Sequence, residues 1–288
     1  MTNVRPAAFT GDLSDAGRPT RLGCGNVWSG SSRTGGLLAL PGLDAWVHSA
    51  PAGTSEAGGD VQYVSVCPSC IVSRVALADV SGHGTAVAAL GDTLRRLMDE
   101  HLRTLEQGAL MRDLNRAVYA EMSEVHYATM VVAGWHDRRG VLVVSNAGHP
   151  PPLWYRAARN AWSWLDTMDV SERARRVGMP LGLFAHVEYG RVVVRPEPGD
   201  LVVLYSDGAS EAANESAEEL GRDGLLDLAR RIDRSSAESF GEELTSALHR
   251  FRGGVSASDD ESIIVLKRHA RAGHSPLPEN SSLGQALP

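Results

Sequence analysis

Runs of apolar and β-branched residues recur along this chain, and each ends at a glycine, a proline or a charged residue. Runs of this length and composition predict β-strands. They are VQYVSVC (61–67), IVSRVALADV (71–80), TMVVAGWH (129–136), GVLVVSNAG (140–148), GRVVVRP (190–196), DLVVLYSD (200–207) and SIIVLKR (262–268). A shorter hairpin is expected within PPLWYRAARNAWSWLD (151–166).

Between these runs the apolar period changes from two to three or four residues. Leu90, Leu94, Leu97, Leu102 and Leu105 predict an amphipathic helix over 85–105. A second helix carries leucine, valine and methionine at positions 110, 114, 118 and 122, and two more are expected near 218–233 and 236–251. Strands and helices in blocks with hairpin-length connections predict antiparallel sheets covered by helices, rather than a doubly wound parallel sheet.

The two ends of the chain lack apolar periodicity. Residues 1–36 and 269–288 are rich in Gly, Ser, Pro and charged residues, and we expect both to be flexible. Nothing between them resembles a linker, so one domain over 37–268 is the simplest prediction.

Composition narrows the class of protein. The 288 residues carry 28 Lys and Arg against 35 Asp and Glu, a net charge of −7, which argues against a nucleic-acid-binding surface. No apolar run is long enough for a membrane span, and the N-terminus has no signal-peptide core. Three cysteines are too few for a disulfide scaffold and suit a reducing, cytoplasmic location. Cys67 and Cys70 form a C-x-x-C that we interpret as turn residues.

Acidic residues stand at the tips of the predicted strands. Asp60 opens one strand, Asp79 and Asp207 each end one, and Asp259 and Asp260 precede the last. If these carboxylates converged without a cation, their mutual repulsion would raise their pKa values. Oxygen ligands without His or Cys favour Mg²⁺ or Mn²⁺ over zinc. The alternative for each is a turn residue, because Asp beside Gly often is one.

Two histidines lie in glycine- or proline-rich turns. His83 stands between Gly82 and Gly84 at the start of the first helix, among backbone N–H groups suited to an anion. It is a candidate proton donor to a leaving oxygen, or else it holds the loop by local hydrogen bonds. His149 is a candidate substrate contact, and the alternative is a buried His that braces the turn around Pro150.

These elements occur together in one order: Gly58-Gly59-Asp60, ADVSGHG (78–84), NAGHPPP (146–152), GMPLG (178–182), PGDLVVLYSDGASEA (198–212) and DDES (259–262). In this order they resemble the PPM-type, protein phosphatase 2C-like serine/threonine phosphatases, in the bacterial SpoIIE branch. The likeness covers roughly residues 37–268. It implies an α+β fold, an αββα sandwich of two antiparallel sheets flanked by helices, with a binuclear metal site at one edge.

The resemblance also implies site residues and a reaction. Asp60, Asp79, Asp207 and Asp259 match the metal-binding aspartates, and the backbone carbonyl of Val80 follows the bridging Asp79. The implied reaction is hydrolysis of phosphoserine or phosphothreonine by water activated by two Mn²⁺ or Mg²⁺ ions. The implied protein substrate is a STAS-domain anti-anti-sigma factor in a partner-switching circuit that regulates a sigma factor.

A second hypothesis is a catalytically weak or inactive module of the same fold that binds a switch protein without turnover. Two departures from the family pattern favour it. Val61-Gln62-Tyr63 replaces the usual residues after Asp60, and His48 is the nearest candidate for a basic residue expected upstream.

Overall fold

Two seven-stranded sheets form the centre of the molecule. The computed structural model describes residues 7–9, 13, 19–53, 57–81, 85–121, 127–165 and 178–269. With strands numbered in chain order, the first sheet has the order β1 (Ala7–Phe9), β3 (Asn26–Ser32), β6 (Ala57–Val66), β7 (Ser73–Val80), β8 (Ala128–His136), β9 (Val141–Ala147) and β12 (Arg191–Val194). The second has the order β11 (Ala161–Trp164), β10 (Leu153–Arg156), β13 (Leu201–Tyr205), β14 (Glu261–Arg268), β5 (Leu43–Ala50), β4 (Thr34–Leu40) and β2 (Thr20–Arg21).

Helices cover the outer face of each sheet. They are α1 (Thr85–Glu100), α2 (Gln107–Glu121), the single turn α3 (Asp207–Ser210), α4 (Gly221–Arg231) and α5 (Ala237–Arg252). Helices α1 and α2 pack on the first sheet, and α4 and α5 pack on the second. Among the described residues, no helix has the length and apolar character needed to cross a membrane.

Three apolar layers hold the sandwich together. The middle layer lies between the sheets, where Trp28, Val64 and Leu77 of the first sheet meet Val47 and Ile264 of the second. The outer layers lie between each sheet and its helices. Alternate residues of the central strands point into different layers, so both faces of each strand are apolar. The predicted αββα sandwich is confirmed, and its central strands pair antiparallel.

The sheet edges and the N-terminal region differ from the prediction. At the edges, β1 pairs with β3 and β2 with β4 in parallel. Part of the segment 1–36 that we expected to be flexible forms β3, with Val27 and Trp28 buried in the core. Strands β4 and β5 were not predicted either. Of the C-terminal segment predicted over 269–288, residues 270–288 lie outside the described residues, and the domain limits otherwise stay a prediction.

The turn between β6 and β7 is cross-linked to the N-terminal region. Cys67 and Cys70 lie in this turn as expected, but Cys70 forms a disulfide with Cys24, a bond that goes against the reducing location expected from the cysteine count. The free Cys67 is buried, and its sulfur accepts hydrogen bonds from the N–H groups of Ile71 and Val72, both at 3.2 Å. The turn is therefore more than a connection, because it fixes the end of the β6–β7 pair.

Candidate active site

The acidic residues predicted from the sequence lie at one end of the sandwich. Asp60 near the start of β6 is the direct cross-strand partner of Asp79 near the end of β7, both in the first sheet. In the second sheet, Asp207 follows β13 and Asp259 precedes β14, and these two strands are neighbours. Since β6 starts where β7 ends, and β13 ends where β14 starts, each sheet presents its pair of carboxylates at a strand terminus.

Asp60 is the most deeply buried of these carboxylates, with 2% of its surface exposed. Its Oδ2 atom is buried and has no hydrogen-bond partner among the described residues. Burial raises the pKa of Asp60 well above its ordinary value, and the hydroxyl of Ser262 only partly opposes this. The charge of Asp79 raises the pKa further. A buried oxygen without a donor is the position at which a cation would compensate the charge.

The charges of the other aspartates act on one another. Burial, followed by the charges of Asp207, Asp259 and Asp260, raises the pKa of Asp79 to about 7. The pKa of Asp207 is also raised, by burial and then by the charge of Asp259. Within the described ranges, no three His, Cys, Asp or Glu side chains are placed closely enough to hold a metal ion as they stand. The site is thus a group of mutually repelling carboxylates, and a bound divalent cation would remove this repulsion.

Asp260 is a structural member of the site that sequence reasoning did not assign. Its Oδ1 accepts a hydrogen bond from the N–H of Ala52 at 2.7 Å, and its Oδ2 accepts one from the N–H of Gly59. A Cβ atom at Gly58 would overlap this carboxylate, so the position requires glycine. Asp259, by contrast, is exposed. Of the two adjacent aspartates, Asp260 therefore holds the loop before Asp60, whereas the exposed Asp259 accepts a local hydrogen bond on Oδ1 from the N–H of Asp260 at 2.8 Å.

A buried glutamine links the two sheets directly beneath the carboxylates. Gln62 is fully buried, and its Nε2 donates to the backbone carbonyl of His48 at 2.8 Å and to Oγ of Ser262 at 3.0 Å. Strand β6 of the first sheet is thereby tied to β5 and β14 of the second. This residue is part of the departure from the family pattern after Asp60, and here it fixes the relative position of the sheets at the site.

An ion-paired arginine supports the site from α5. Arg252 donates from Nη1 to Oε2 of Glu261 at 2.6 Å and from Nη2 to the carbonyl of Gly208 at 3.1 Å. Nε2 of His48 lies 3.3 Å from Oε1 of the same glutamate. Although burial raises the pKa of Glu261, the hydrogen bond from His48 and the charge of Arg252 hold it below its ordinary value. Arg252 therefore joins the residues next to Asp207 to β14.

His149 is buried in the turn after β9. Its backbone N–H and carbonyl both bond to the side chain of Asn146, at 2.8 and 2.7 Å, and its Nδ1 lies 2.8 Å from Oγ1 of Thr129. Burial lowers the pKa of His149 to about 3, so the ring is neutral. These contacts describe the bracing role that we considered as the alternative, and nothing in them supports a substrate contact, which stays a prediction.

The remaining predicted residues divide between described and undescribed parts of the chain. Val80 ends β7 with 2% of its surface exposed, directly after Asp79. His83, Gly82 and Gly84 lie outside the described residues, so their roles as proton donor and anion-binding backbone stay predictions.

Comparison with known proteins decides the family. The family model described as Stage II sporulation protein E (SpoIIE) matches residues 73–269, more than half of the chain. The chain belongs to the SpoIIE family. This confirms the resemblance based on the ordered motifs, and it places β7 to β14, with Asp79, Asp207 and Asp259, inside the matched range.

The chain is also similar to individual curated proteins, at lower sequence identity than close relatives would show. The chain is 27% identical over 196 residues to "Phosphoserine phosphatase RsbU" of Bacillus subtilis, covering 68% of this chain and 55% of the relative. The chain spans about half the length of the curated relatives it matches.

Solved structures support the fold. The RsbU and RsbW domains of Rv1364c from Mycobacterium tuberculosis align with a TM-score of 0.66 at 23% identity, covering 80% of this chain and 61% of that one. The catalytic domain of the serine/threonine phosphatase PstP, in complex with two manganese ions, aligns with a TM-score of 0.55 at 16% identity, covering 79% and 99%.

Proposed function

We propose that this chain is a metal-dependent protein serine/threonine phosphatase that hydrolyses phosphoserine or phosphothreonine. The observation that carries the proposal is the set of carboxylates at one end of the sandwich, where burial and neighbouring charges raise the pKa of Asp79 to about 7. Carboxylates that repel one another at one site indicate a ligand that neutralises them when it binds. The name of the RsbU relative supports the phosphoserine chemistry.

The chemistry of the donor atoms suits two Mn²⁺ or Mg²⁺ ions. The side chains of Asp60, Asp79, Asp207 and Asp259, with the carbonyl of Val80, offer only oxygen atoms, which these hard cations prefer. The unpartnered buried Oδ2 of Asp60 fits the same assignment. When bound, such ions lower the pKa of coordinated water and offset the charge on phosphate oxygens.

The protein's own residues position this group. Asp260 fixes the backbone at Ala52 and Gly59, and Arg252 fixes the carbonyl beside Asp207. In this proposal, His83 donates a proton to the leaving serine oxygen, and the backbone N–H groups of Gly82 and Gly84 bind the phosphate.

The substrate is proposed to be a phosphorylated STAS-type anti-anti-sigma factor, in a cytoplasmic partner-switching circuit. The support is the similarity to RsbU and to the RsbU and RsbW domains of Rv1364c, together with the acidic net charge that argues against nucleic acid.

The test is phosphate release from a phosphoserine STAS-domain protein in Mn²⁺, in Mg²⁺ and in EDTA. We expect release only with metal, and a loss of at least about 10³-fold in Asp79→Asn, since one metal ligand is removed. Asp227→Asn, at an exposed ion pair with Arg230 on α4, is the matched control and should keep full activity. Undiminished release in EDTA or in Asp79→Asn would contradict the proposal. A folded protein that binds the substrate without release in any metal would favour the inactive binding module.

A further inference from the structure

An open cleft of about 860 Å³ lies next to the acidic site. Its walls are the end of β5, the last turns of α5 and the loop that leads from α5 to Asp259. Ala257 and Glu261 both line the cleft, two residues on either side of Asp259, so its wall is continuous with the candidate active site. A segment lying in the cleft would therefore be close to whatever occupies the site.

The cleft is positively charged although the chain is acidic. Arg33 and Arg250 line it, are exposed, and form no ion pair within the described ranges. Among the described residues that line it, the single acidic one, Glu261, is buried and already paired with Arg252 at 2.6 Å. The free charges facing the cleft are therefore cationic, in a protein whose net charge is −7.

We propose that this cleft binds an acidic stretch of the protein substrate, close in sequence to the phosphorylated residue. The inference rests on the proposed function and adds a determinant of specificity. Arg33 stands beside Thr34, which pairs with Ser49 near the end of β5, and Arg250 is on the last turn of α5. The two guanidinium groups thus belong to different walls of the cleft, and carboxylates between them would be attracted to both.

The charges of the cleft disfavour a basic segment of a substrate. A basic segment would find no free carboxylate among the described lining residues, because Glu261 is paired with Arg252 and contacted by His48. The cleft also offsets the repulsion that an acidic substrate would meet at the neighbouring aspartates. Opposite charge on the two sides of an encounter raises the association rate and selects among partners, and salt weakens both effects.

The test compares two phosphoserine peptides of equal length, one with Asp and Glu flanking the phosphoserine and one with Asn and Gln instead. The kcat/KM for each is measured in Mn²⁺ with wild type and with Arg33→Gln/Arg250→Gln. We expect wild type to prefer the acidic peptide about fivefold, as two exposed charge pairs would provide. The double variant should lose this preference through KM, and 0.5 M salt should abolish it in wild type.

The matched control is Arg231→Gln, which removes an exposed arginine in the last turn of α4, outside the cleft. It should keep the wild-type preference. Equal kcat/KM for both peptides in wild type, a preference for the neutral peptide, or an equal loss in Arg231→Gln would each overturn the proposal. The last result would mean that net charge, rather than this cleft, selects the substrate.

An aryl phosphate ester separates this proposal from the proposed function, because it is too small to span both the site and the cleft. Its hydrolysis should be equal in wild type and in the double variant. If no metal supports its hydrolysis, the proposed phosphatase activity fails. The cleft is then judged by fluorescence polarisation with the unphosphorylated acidic peptide. Weaker binding to the double variant than to wild type supports the cleft, and equal binding overturns it.

Discussion

Strands β6 and β7 have two ends of opposite character. At one end, Asp60 and Asp79 face each other across the pair, and both have raised pKa values because they are buried near like charges. At the other end, the tight turn carries Cys70, which is covalently bound to Cys24. One end is destabilised by electrostatic repulsion, and the other is held by a covalent bond.

The difference shows how a strained site is kept in place. Between the two ends, the strands pair in register from Val61 and Ala78 to Val66 and Ser73 without a bulge, and both are buried. Such a ladder is rigid, so repulsion at the carboxylates does not separate the strands. Packing of the strands and the cross-link away from the site stabilise the fold and offset the repulsion between the carboxylates.

Removing the covalent bond should have the largest effect on stability. The bridge closes a separation of 46 residues, and restricting the unfolded chain over such a loop stabilises the folded state by up to about 4 kcal/mol. We expect Cys24→Ser/Cys70→Ser to lower the free energy of unfolding by up to this amount in denaturant titrations. Its phosphate release at 20 °C should stay near wild type, because the bridge lies at the opposite end of β6 and β7 from the carboxylates.

Cys67→Ser is the control for this experiment, because it leaves the bridge intact. Dithiothreitol should destabilise this variant as much as it destabilises wild type, and should leave Cys24→Ser/Cys70→Ser unchanged. An unfolding midpoint of the double variant equal to that of wild type would contradict the assigned role of the bridge.

Replacing the Asp60 carboxyl group, at the other end of β6 and β7, should raise the stability of the metal-free protein rather than lower it. At pH 8 in EDTA, Asp60→Asn replaces a buried carboxyl group, whose charged form is disfavoured by burial and by the charge of Asp79, with an uncharged amide, so we expect its melting temperature to exceed that of wild type. Saturating Mn²⁺ should reverse the order. A ligand at 100 times its Kd stabilises a folded protein by about 2.7 kcal/mol, and the variant should gain much less of this. Differential scanning calorimetry with and without Mn²⁺ measures both effects.

Asp227→Asn should respond to Mn²⁺ like wild type, because its carboxylate lies on the exposed surface of α4. If Asp60→Asn melts below wild type in EDTA and gains as much as wild type from Mn²⁺, then Asp60 is a structural residue rather than a metal ligand.

The sequence predicts the strands from β6 onward and their carboxylates better than it predicts the N-terminal strands and the cross-link. The strands from β6 onward and the carboxylates at their tips follow from local pattern, because a long apolar run interrupted by Asp marks both a strand and its end. The N-terminal strands β3 and β4 were missed, since NVWSGSS and TGGLLAL are rich in Ser and Gly and give weak strand signals.

Contacts that depend on the folded arrangement were not predictable from local pattern. The pairing of Cys24 with Cys70 joins residues far apart in the chain, and spacing alone does not determine such a pair. Nor does local pattern distinguish Asp259 from Asp260, and only the resemblance to the family assigned Asp259 as a ligand. Only the folded structure shows that Asp260 turns towards the N–H groups of Ala52 and Gly59. The available signal was the presence of two adjacent aspartates before β14, because one of them can hold the backbone while the other faces a ligand.

The last prediction concerns the pH dependence of stability, which changes because the pKa of Asp79 is raised. Its pKa is about 7 in the folded protein and about 3.9 in the unfolded chain. Between these values the folded state retains a proton that the unfolded state has lost. Rising pH therefore lowers the free energy of unfolding, by at most about 1.4 kcal/mol per pH unit, and the loss is complete above pH 7.

The measurement is the difference in free energy of unfolding between Asp79→Asn and wild type, in EDTA, from pH 4 to pH 8. A difference is needed because His149, with a pKa lowered to about 3, makes stability rise with pH below 6.5 and would mask the slope in wild type alone. We expect Asp79→Asn to gain on wild type steadily up to pH 7 and then to hold that advantage. A constant difference across the range would mean that Asp79 ionises normally. The end of β6 and β7 that carries Asp60 and Asp79 would then not be under electrostatic repulsion, and this contrast with the cross-linked end would be lost.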